Sequence, residues 1–131
     1  MGRLTGSCLC GEVSYGVEDE FLYALNCHCA KCRRATGSAF KPFAGIERSK
    51  LSITKVEGTL LLFGGGNAHD AHCKLCGSLL YSLVRNGEFV HITLGTLIDA
   101  PTIRPTAHIF VGSKAPWSTI TDGLPQHEEF G

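Results

Sequence analysis

The sequence predicts a single, mainly β domain spanning residues 1–131. Three observations support this fold class. Several short apolar segments alternate with polar residues at a spacing of two, Gly and Pro interrupt the chain at short intervals, and only one stretch carries the signals of a stable helix. No repeat or linker divides the sequence. A chain of this length buries about two thirds of its unfolded surface, so it can form a conventional core.

The first strand pattern is GEVSYGVE at residues 11–18, where Val13, Tyr15 and Val17 fall on one face. This alternation is typical of a half-buried strand with one face toward a core. The other predicted strands or strand fragments, in chain order, are FLYALN (21–26), FKPFAGI (40–46), LSITKVE (51–57), TLLLFGGG (59–66), SLLYSLV (78–84), EFVHITLG (88–95) and AHIFVG (107–112).

Helical signals are few. AKCRRATG at residues 30–37 predicts a short helix that ends at Gly37, since glycine readily adopts the left-handed conformation that closes a helix. Residues 64–67 predict a glycine-rich turn. The C-terminal segment predicts one helical turn around Trp117, whose indole is expected to pack at the edge of the core.

Composition excludes several classes of partner. Lys and Arg total 12, as do Asp and Glu, so the formal net charge is zero, whereas nucleic-acid-binding and membrane-surface proteins usually carry a basic excess. No apolar run has the length of a signal peptide or a membrane span. These features predict a cytoplasmic protein. Because the cytoplasm is reducing and the cysteine count is odd, the seven cysteines are not expected to form a disulfide framework.

The cysteines fall into three groups and predict metal binding. They are CLC (Cys8, Cys10), CHCAKC (Cys27, Cys29, Cys32) and CKLC (Cys73, Cys76). Thiols two apart in an extended segment share a face, and thiols three apart converge around a turn, so each group can present its sulfurs to one ion. Neither C-x-x-C pair is followed by His, which excludes haem attachment.

Four plus three is the natural division of these thiols. CLC and CKLC each supply two ligands and together complete a four-thiolate site. The CHCAKC group is then a three-thiolate site, and three protein ligands with one open position are typical of catalytic zinc. The spacing alone is also compatible with other roles for the cysteines. CHC can pair with CKLC, CAKC can act as a redox pair, one iron–sulfur cluster can be ligated, or the cysteines can simply pack in the core.

Five segments resemble one known family, and they occur in this order: GSCLCGEVSYGV, NCHCAKCRRATGSAF, HCKLCGSLLYS, VHITLGTLIDAP and HIFVGSKAPWSTITDGLP. They resemble the glutathione-dependent formaldehyde-activating enzyme family, also called the Gfa or centromere-protein-V-like family, across nearly the whole chain. The resemblance implies an Mss4-like (β-tent) fold of small twisted antiparallel sheets clasped by zinc. It also implies a carbon–sulfur lyase that joins glutathione to formaldehyde, giving S-hydroxymethylglutathione.

The resemblance also implies roles for the seven cysteines. Cys8, Cys10, Cys73 and Cys76 match the family's structural zinc ligands, and Cys27, Cys29 and Cys32 match the ligands of its catalytic zinc. The implied cofactors are therefore two zinc ions. The implied substrates are a small thiol such as glutathione and a small aldehyde. The precise thiol and carbonyl partner, and the oligomeric state, are left open.

Several polar residues near the second cysteine group are candidates for the site. Lys31, Arg33 and Arg34 are predicted to hold the carboxylates of a glutathione-like thiol, against the alternative of a solvated helix face. Phe40 and Phe43 are expected to pack in the core. The fourth position on the second metal is predicted to take water or a small exogenous ligand. The side chains that could compete for this position are His28, His69, Asp70 and His72. His72 and His91 are expected to be polar positions of strands.

Two functions from different classes follow from these patterns. The first is a zinc-dependent carbon–sulfur lyase-type enzyme that makes or breaks a thiol–aldehyde adduct. The alternative is a non-catalytic zinc-binding module that binds a protein partner. The three-cysteine group favours the enzyme, because a scaffold does not need a metal with an exchangeable position.

Overall fold

Two β-sheets of unequal size build the fold, which we describe from a computed structural model covering residues 2–54 and 58–130. The strands are β1 (Arg3–Ser7), β2 (Ser14–Glu18), β3 (Tyr23–Cys27), β4 (Lys41–Glu47), β5 (Leu51–Ile53), β6 (Leu60–Gly65), β7 (Ala68–Cys73), β8 (Leu79–Val84), β9 (Phe89–Thr93) and β10 (His108–Ile109). Helix α1 (Ala30–Thr36) follows β3, and 3₁₀ turns occur at Arg48–Lys50, Arg85–Gly87, Leu94–Thr96 and Val111–Ser113. Within the described ranges, no helix is long and apolar enough to cross a membrane.

The small sheet has the order β1-β2-β5, and both pairings are antiparallel. Its inner face is the one that the sequence predicts, since Val13, Tyr15 and Val17 are all at most 1% exposed. The hydroxyl of Tyr15 lies 2.7 Å from that of Thr96, so the buried ring keeps a hydrogen-bond partner. The polar face of this sheet is left to solvent.

The large sheet has the order β10-β3-β4-β9-β8-β7-β6. Every pairing in it is antiparallel except that of β10 with β3, which is parallel. Strand β8 is buried over most of its length, with only its last residue, Val84, partly exposed. Strand β6 lies at one edge, where Leu61, Leu62 and Phe63 are more than half exposed.

The main core lies between the two sheets. Apolar side chains from the small sheet pack against a set from β4, β7, β8 and β9 of the large sheet, which includes Ile46, Ala71, Leu80, Val90 and Ile92. Cys8 and Cys73 are buried members of the same cluster. Burying side chains of this size contributes about 1.5–3 kcal/mol each, so the contact between the sheets is the main source of stability.

A second, smaller apolar cluster lies at the β3–β10 end of the large sheet. Cys27, Phe43 and Ile109 are its buried members, and Cys29 and Cys32 pack against it. The core packing predicted for Phe43 is therefore confirmed. The three-cysteine group thus stands on a rigid apolar base, which fixes the direction of its sulfurs.

Most predicted elements are present, with four differences. Strand β1 (Arg3–Ser7) precedes the first predicted strand pattern and is missing from the predicted set. Strand β7 is missing from the prediction, because its sequence AHDAHC is polar and it forms by pairing with β6 and β8. The predicted helical turn around Trp117 is wrong, because the nearest 3₁₀ turn is Val111–Ser113 and residues 116–117 form a simple turn. The last three residues of the predicted 51–57 strand lie outside the described residues. The mainly β prediction is confirmed, and the two-sheet arrangement agrees with the Mss4-like fold.

Candidate metal centres and cleft

The first cysteine group joins two loops that are distant in the sequence. Cys8 and Cys10 follow β1, whereas Cys73 ends β7 and Cys76 lies in the turn before β8. Their four Sγ atoms all lie within 4.8 Å of one another. The group therefore connects the small sheet to the large sheet at a single point.

Each of these loops is a tight turn that ends in glycine. The amide of Gly11 donates to the carbonyl oxygen of Cys8 at 3.3 Å, and the amide of Gly77 donates to that of Cys73 at 2.8 Å. Both glycines are left-handed, with φ of +84° and +83°, a conformation that residues with a Cβ rarely adopt. The sequences CLCG and CKLCG thus form their sulfur-presenting turns locally.

The spacing of the four sulfurs fits a tetrahedral ion. Sγ of Cys10 lies 3.7 Å from Sγ of Cys8 and 3.7 Å from Sγ of Cys73. Four thiolates around one zinc at about 2.3 Å lie about 3.8 Å apart, so the donor set and its dimensions suit zinc. The Sγ of Cys76 lies 3.3 Å from the Ser78 hydroxyl, and this contact is the largest of several hydrogen bonds that lower the pKa of the thiol to about 5.

The second cysteine group is formed where β3 passes into α1. Cys27 is the last residue of β3, Cys29 is the N-cap of α1, and Cys32 lies in the first helical turn. Sγ of Cys29 accepts a hydrogen bond from the amide of Cys32 at 3.2 Å, so the cap itself holds two ligands together. The three Sγ atoms lie within 4.8 Å of one another. As predicted, the helix ends at Gly37 in the left-handed conformation.

Electrostatics favour thiolate in this second group. A hydrogen bond from the adjacent Cys32 thiol, with a smaller contribution from the charge of Lys41, lowers the pKa of Cys27 to about 6. The same contact raises the pKa of Cys32, because a second negative charge beside Cys27 is unfavourable. A divalent cation would remove this conflict by stabilising all three thiolates. In residues 2–54 and 58–130, no His, Asp or Glu joins the three sulfurs as a further ligand.

His28 lies between two of these cysteines but has a different partner. It is fully buried, and its Nε2 lies 2.8 Å from Nδ1 of His108 in β10. Nε2 of His108 in turn lies 3.1 Å from the carboxylate of Asp122. Burial lowers the pKa of His28. The sequence gives no sign of this chain of contacts, because His28 and Asp122 are 94 residues apart.

A cleft of about 270 Å³ opens beside the second cysteine group. Cys29 and Cys32 form part of its wall, and Lys41, Ser82 and His91 line it from β4, β8 and β9. Lys31, Ala35 and Asp70 also line an adjoining groove of about 590 Å³. Pockets of a few hundred cubic ångströms are the size in which small ligands bind.

The predicted substrate-binding residues are distributed unevenly around this cleft. Lys31 lines both cavities and Arg34 lines the wider groove. Arg33 lines neither, and its Nε is buried with no hydrogen-bond partner among the residues described. The competitors considered for the second metal have other partners, since His69 contacts the carbonyl oxygen of Gly65 and His72 that of Gly77.

Other sequence expectations can be checked at the same sites. His72 and His91 lie in β7 and β9, so their assignment as strand positions is confirmed. The prediction that Trp117 packs at the core edge is wrong, because its side chain is 70% exposed. Sequence reasoning missed Lys41 and Ser82. A single Lys within an otherwise apolar strand, FKPFAGI, was the available signal for the first of them.

Comparison with known proteins places these features in a family. The sequence model of the family described as glutathione-dependent formaldehyde-activating enzyme matches residues 3–113. The chain belongs to this family. A protein of Halomonas elongata, named provisionally as a glutathione-dependent formaldehyde-activating enzyme, is 28% identical over 132 aligned positions, covering 89% of this chain and 80% of that protein. A crystal structure of a Rhodobacter sphaeroides protein shares the fold, with a TM-score of 0.62 and 27% identity over 76% of this chain and 92% of that one.

Proposed function

We propose that this protein is a zinc-dependent carbon–sulfur lyase-type enzyme that makes or breaks an adduct between a small thiol and a small aldehyde. S-hydroxymethylglutathione is the model for this adduct. The observation that supports the proposal most strongly is the position of the second cysteine group. Cys29 and Cys32 form the wall of a cleft, whereas the first group joins two sheets. A cytoplasmic setting suits this chemistry, because a reducing compartment keeps the thiols free.

The two groups are proposed to hold one zinc ion each. Cys8, Cys10, Cys73 and Cys76 would hold a structural ion, because four protein thiolates complete its coordination. Cys27, Cys29 and Cys32 would hold a catalytic ion, which would supply an exchangeable position that stabilises an incoming thiol as its thiolate.

The groove beside the cleft is proposed to bind the body of the thiol substrate. Lys31 and Arg34 are exposed cations on adjacent turns of α1 and can bind the carboxylates of a glutathione-like molecule. Arg33 stays a weaker candidate, because it lines neither cavity. Phe63 offers an apolar contact at the far side of the groove. The thiol would then reach the cysteine group while its charged ends remain at the surface.

The reaction forms one C–S bond and needs no redox partner. The sulfur lone pair attacks the aldehyde carbon, the π pair of the carbonyl moves to oxygen, and that oxygen gains the proton that the thiol lost. The reverse steps cleave the adduct. The protein's own contribution is to hold both reactants at reacting distance in the cleft.

The test is exchange spectroscopy by NMR on the zinc-loaded protein with glutathione and formaldehyde. We expect adduct formation faster than the uncatalysed exchange. Cys29→Ala should reduce this acceleration to background while the melting temperature changes by only a few degrees, because its site does not link distant parts of the chain. Lys50→Met, whose ammonium pairs with Glu20 away from the cleft, is the control and should keep full activity. Equal acceleration by the wild type and Cys29→Ala would exclude this function.

The alternative, a zinc module that binds a protein partner, has one observation in its favour. Edge strand β6 exposes Leu61, Leu62 and Phe63, and Phe63 is 74% exposed. Exposed apolar edge strands are sites where other chains add a strand. Absence of adduct exchange with glutathione and with other small thiols, for a protein that retains its metal, would favour this alternative.

A further inference from the structure

Lys41 is a buried cation at the base of the cleft. The residue is 5% exposed, although its side chain lines the cleft together with Cys29 and Cys32. Lysine is almost never buried to this extent unless its charge is compensated. Among the residues described, no carboxylate oxygen lies within 4.0 Å of its Nζ. The ring of Phe43, with its centroid 5.9 Å from Nζ, gives a weak cation–π contact, and the carboxylate of Asp70 acts from beyond hydrogen-bonding distance. A ligand oxygen in the cleft would add direct compensation.

A chain of hydrogen bonds fixes the orientation of this ammonium. Nζ of Lys41 donates to Oγ of Ser82 at 2.8 Å, and Oγ of Ser82 lies 2.6 Å from Oδ1 of Asp70. Because an ammonium only donates, the Ser82 hydroxyl accepts from Lys41 and gives its own hydrogen to Asp70. The three residues lie on β4, β8 and β7, so three strands of the rigid sheet hold this chain.

One hydrogen bond leaves two of the three N–H groups of Lys41 for another acceptor. No described residue accepts them. On the same side, Lys41 is paired in register with Cys27, so its ammonium faces the sulfurs of the second cysteine group. The ammonium is thus presented, already oriented, to the region where a thiol sulfur would meet its reaction partner.

We propose that Lys41 is a catalytic residue that binds the carbonyl oxygen of the aldehyde and stabilises the negative charge that this oxygen gains. The inference rests on the proposed function and names the group that meets the second substrate. As the C–S bond forms, the π pair of the carbonyl moves to oxygen. Two N–H groups of Lys41 donate hydrogen bonds to this oxygen. The thiol's proton passes to water in the cleft, and a proton from water then completes the hydroxyl group. Lys41 keeps its own protons throughout.

Ser82 and Asp70 are positioning residues in this scheme. They do not contact the reacting atoms. Ser82 accepts a hydrogen bond from the ammonium, and Asp70 accepts one from the hydroxyl of Ser82. A competing interpretation is that Lys41 only neutralises the negative charge of three metal-binding thiolates. The two interpretations differ in their consequences, since neutralisation alone would affect retention of the metal and not the binding of an oxygen.

The first experiment uses Lys41→Met, which keeps the volume of the side chain, with Lys50→Met as the matched control. With glutathione and formaldehyde we expect kcat to fall by about 100-fold, the loss typical for removing one oxyanion donor, and KM for the thiol to stay within about threefold. The zinc content should remain that of the wild type. A kcat within threefold of the wild type, or a loss of activity that parallels a loss of zinc, would overturn the proposal. Lys41→Gln, which keeps an uncharged N–H donor on this side chain, replaces Lys41→Met if the latter does not fold.

The second experiment does not depend on turnover. The protein is loaded with cobalt, and binding of thioglycolate and of 2-mercaptoethanol is followed by the sulfur-to-cobalt absorption. Thioglycolate carries an oxygen anion close to its sulfur, so the wild type should bind it at least about tenfold more tightly than the neutral thiol. In Lys41→Met this preference should fall to about twofold or less. Lys50→Met, whose ammonium pairs with Glu20 away from the cleft, should keep it.

These outcomes test the proposed reaction and the role of Lys41 separately. A preserved thioglycolate preference without turnover would exclude the proposed reaction but keep Lys41 as the oxygen-binding group. A preference that is absent from the wild type, unchanged in Lys41→Met, or lost equally in Lys50→Met would show that Lys41 makes no specific contact. Failure of both thiols to bind would refute the assignment of this cleft as the thiol site, and the role of Lys41 with it.

Discussion

His91 is a largely buried imidazole in the wall of the cleft. Its Nε2 lies 2.7 Å from the hydroxyl of Tyr23, and its ring stacks on that of Phe43 with centroids 4.2 Å apart. Burial lowers the pKa of His91 to about 4, and the charges of Lys41 and Arg85 add to this effect. The imidazole is therefore neutral in the folded protein at physiological pH.

Because the pKa of His91 is about 4 in the folded protein, stability decreases as the pH falls. The imidazole of an unfolded chain has a pKa of about 6.5, so between about pH 6.5 and pH 4 the unfolded state binds the extra proton. The contribution of His91 is complete above pH 6.5 and is lost as the pH falls toward 4. Between pH 7 and pH 5 we expect the free energy of unfolding to fall by about 2 kcal/mol more in the wild type than in His91→Gln.

Urea denaturation at the two pH values measures this difference. The cysteines are the same in both proteins, so their own titration cancels in the comparison. Tyr23→Phe, which removes the hydrogen bond but leaves the imidazole buried against Phe43, is the control and should keep the wild-type pH dependence. If His91→Gln and the wild type lose the same free energy, His91 is not the titrating group.

At the scale of single residues, the sequence predicts contacts between side chains that are close in the chain. It misses contacts between side chains that only the folded sheet brings together. The cysteines are grouped correctly into four and three, because their spacing within each loop already places the sulfurs together. Lys41, Ser82 and Asp70 meet only because β4, β8 and β7 lie in one sheet, over a span of 41 residues between the first two. No pattern within a short window encodes such a contact.

At the scale of elements, helix α1 and the turn at Cys73 and Cys76 are predicted because their signals are adjacent in the chain. The extended segment predicted for Cys8 and Cys10 is wrong, because these residues form a turn. Gly37 closes the helix, and Gly11 and Gly77 close the turns. Strand β7 is different, since alternation of apolar residues is absent from AHDAHC. Its pairing with β6 and β8 overrides this weak local preference. The exposed position of Trp117 likewise depends on the path of the C-terminal segment, which composition does not specify.

The first cysteine group, which connects the two sheets, is expected to contribute strongly to stability. Cys73 is fully buried in the main core and belongs to the group that connects the two sheets. A structural zinc ion contributes on the order of 10 kcal/mol to folding, as much as the whole stability of a typical domain. We therefore expect Cys73→Ser to be insoluble or unfolded, as measured by expression yield and circular dichroism.

Cys32→Ser is the matched control for this change. It removes a thiol from the second group, which lies within one continuous stretch of chain and connects no distant elements. Its melting temperature should stay within a few degrees of that of the wild type. A soluble Cys73→Ser with a normal melting temperature would show that this cysteine serves packing alone and that the sheets hold together without the ion.

At the scale of the whole molecule, the two cysteine groups should differ in how firmly they retain a metal. The first has four thiols, and releasing its ion requires the turn after β1 to separate from the turn after β7. The second has three thiols, two of which line an open cleft. We expect the purified, fully loaded protein to contain two zinc ions per chain. A mild chelator should remove one of them quickly while the circular dichroism spectrum is unchanged, and removal of the other should coincide with unfolding. Native mass spectrometry follows both ions at once, and Cys32→Ser should start with one ion that resists the chelator. Simultaneous loss of both ions, or a single ion in a fully loaded wild type, would contradict the assignment of separate structural and catalytic sites.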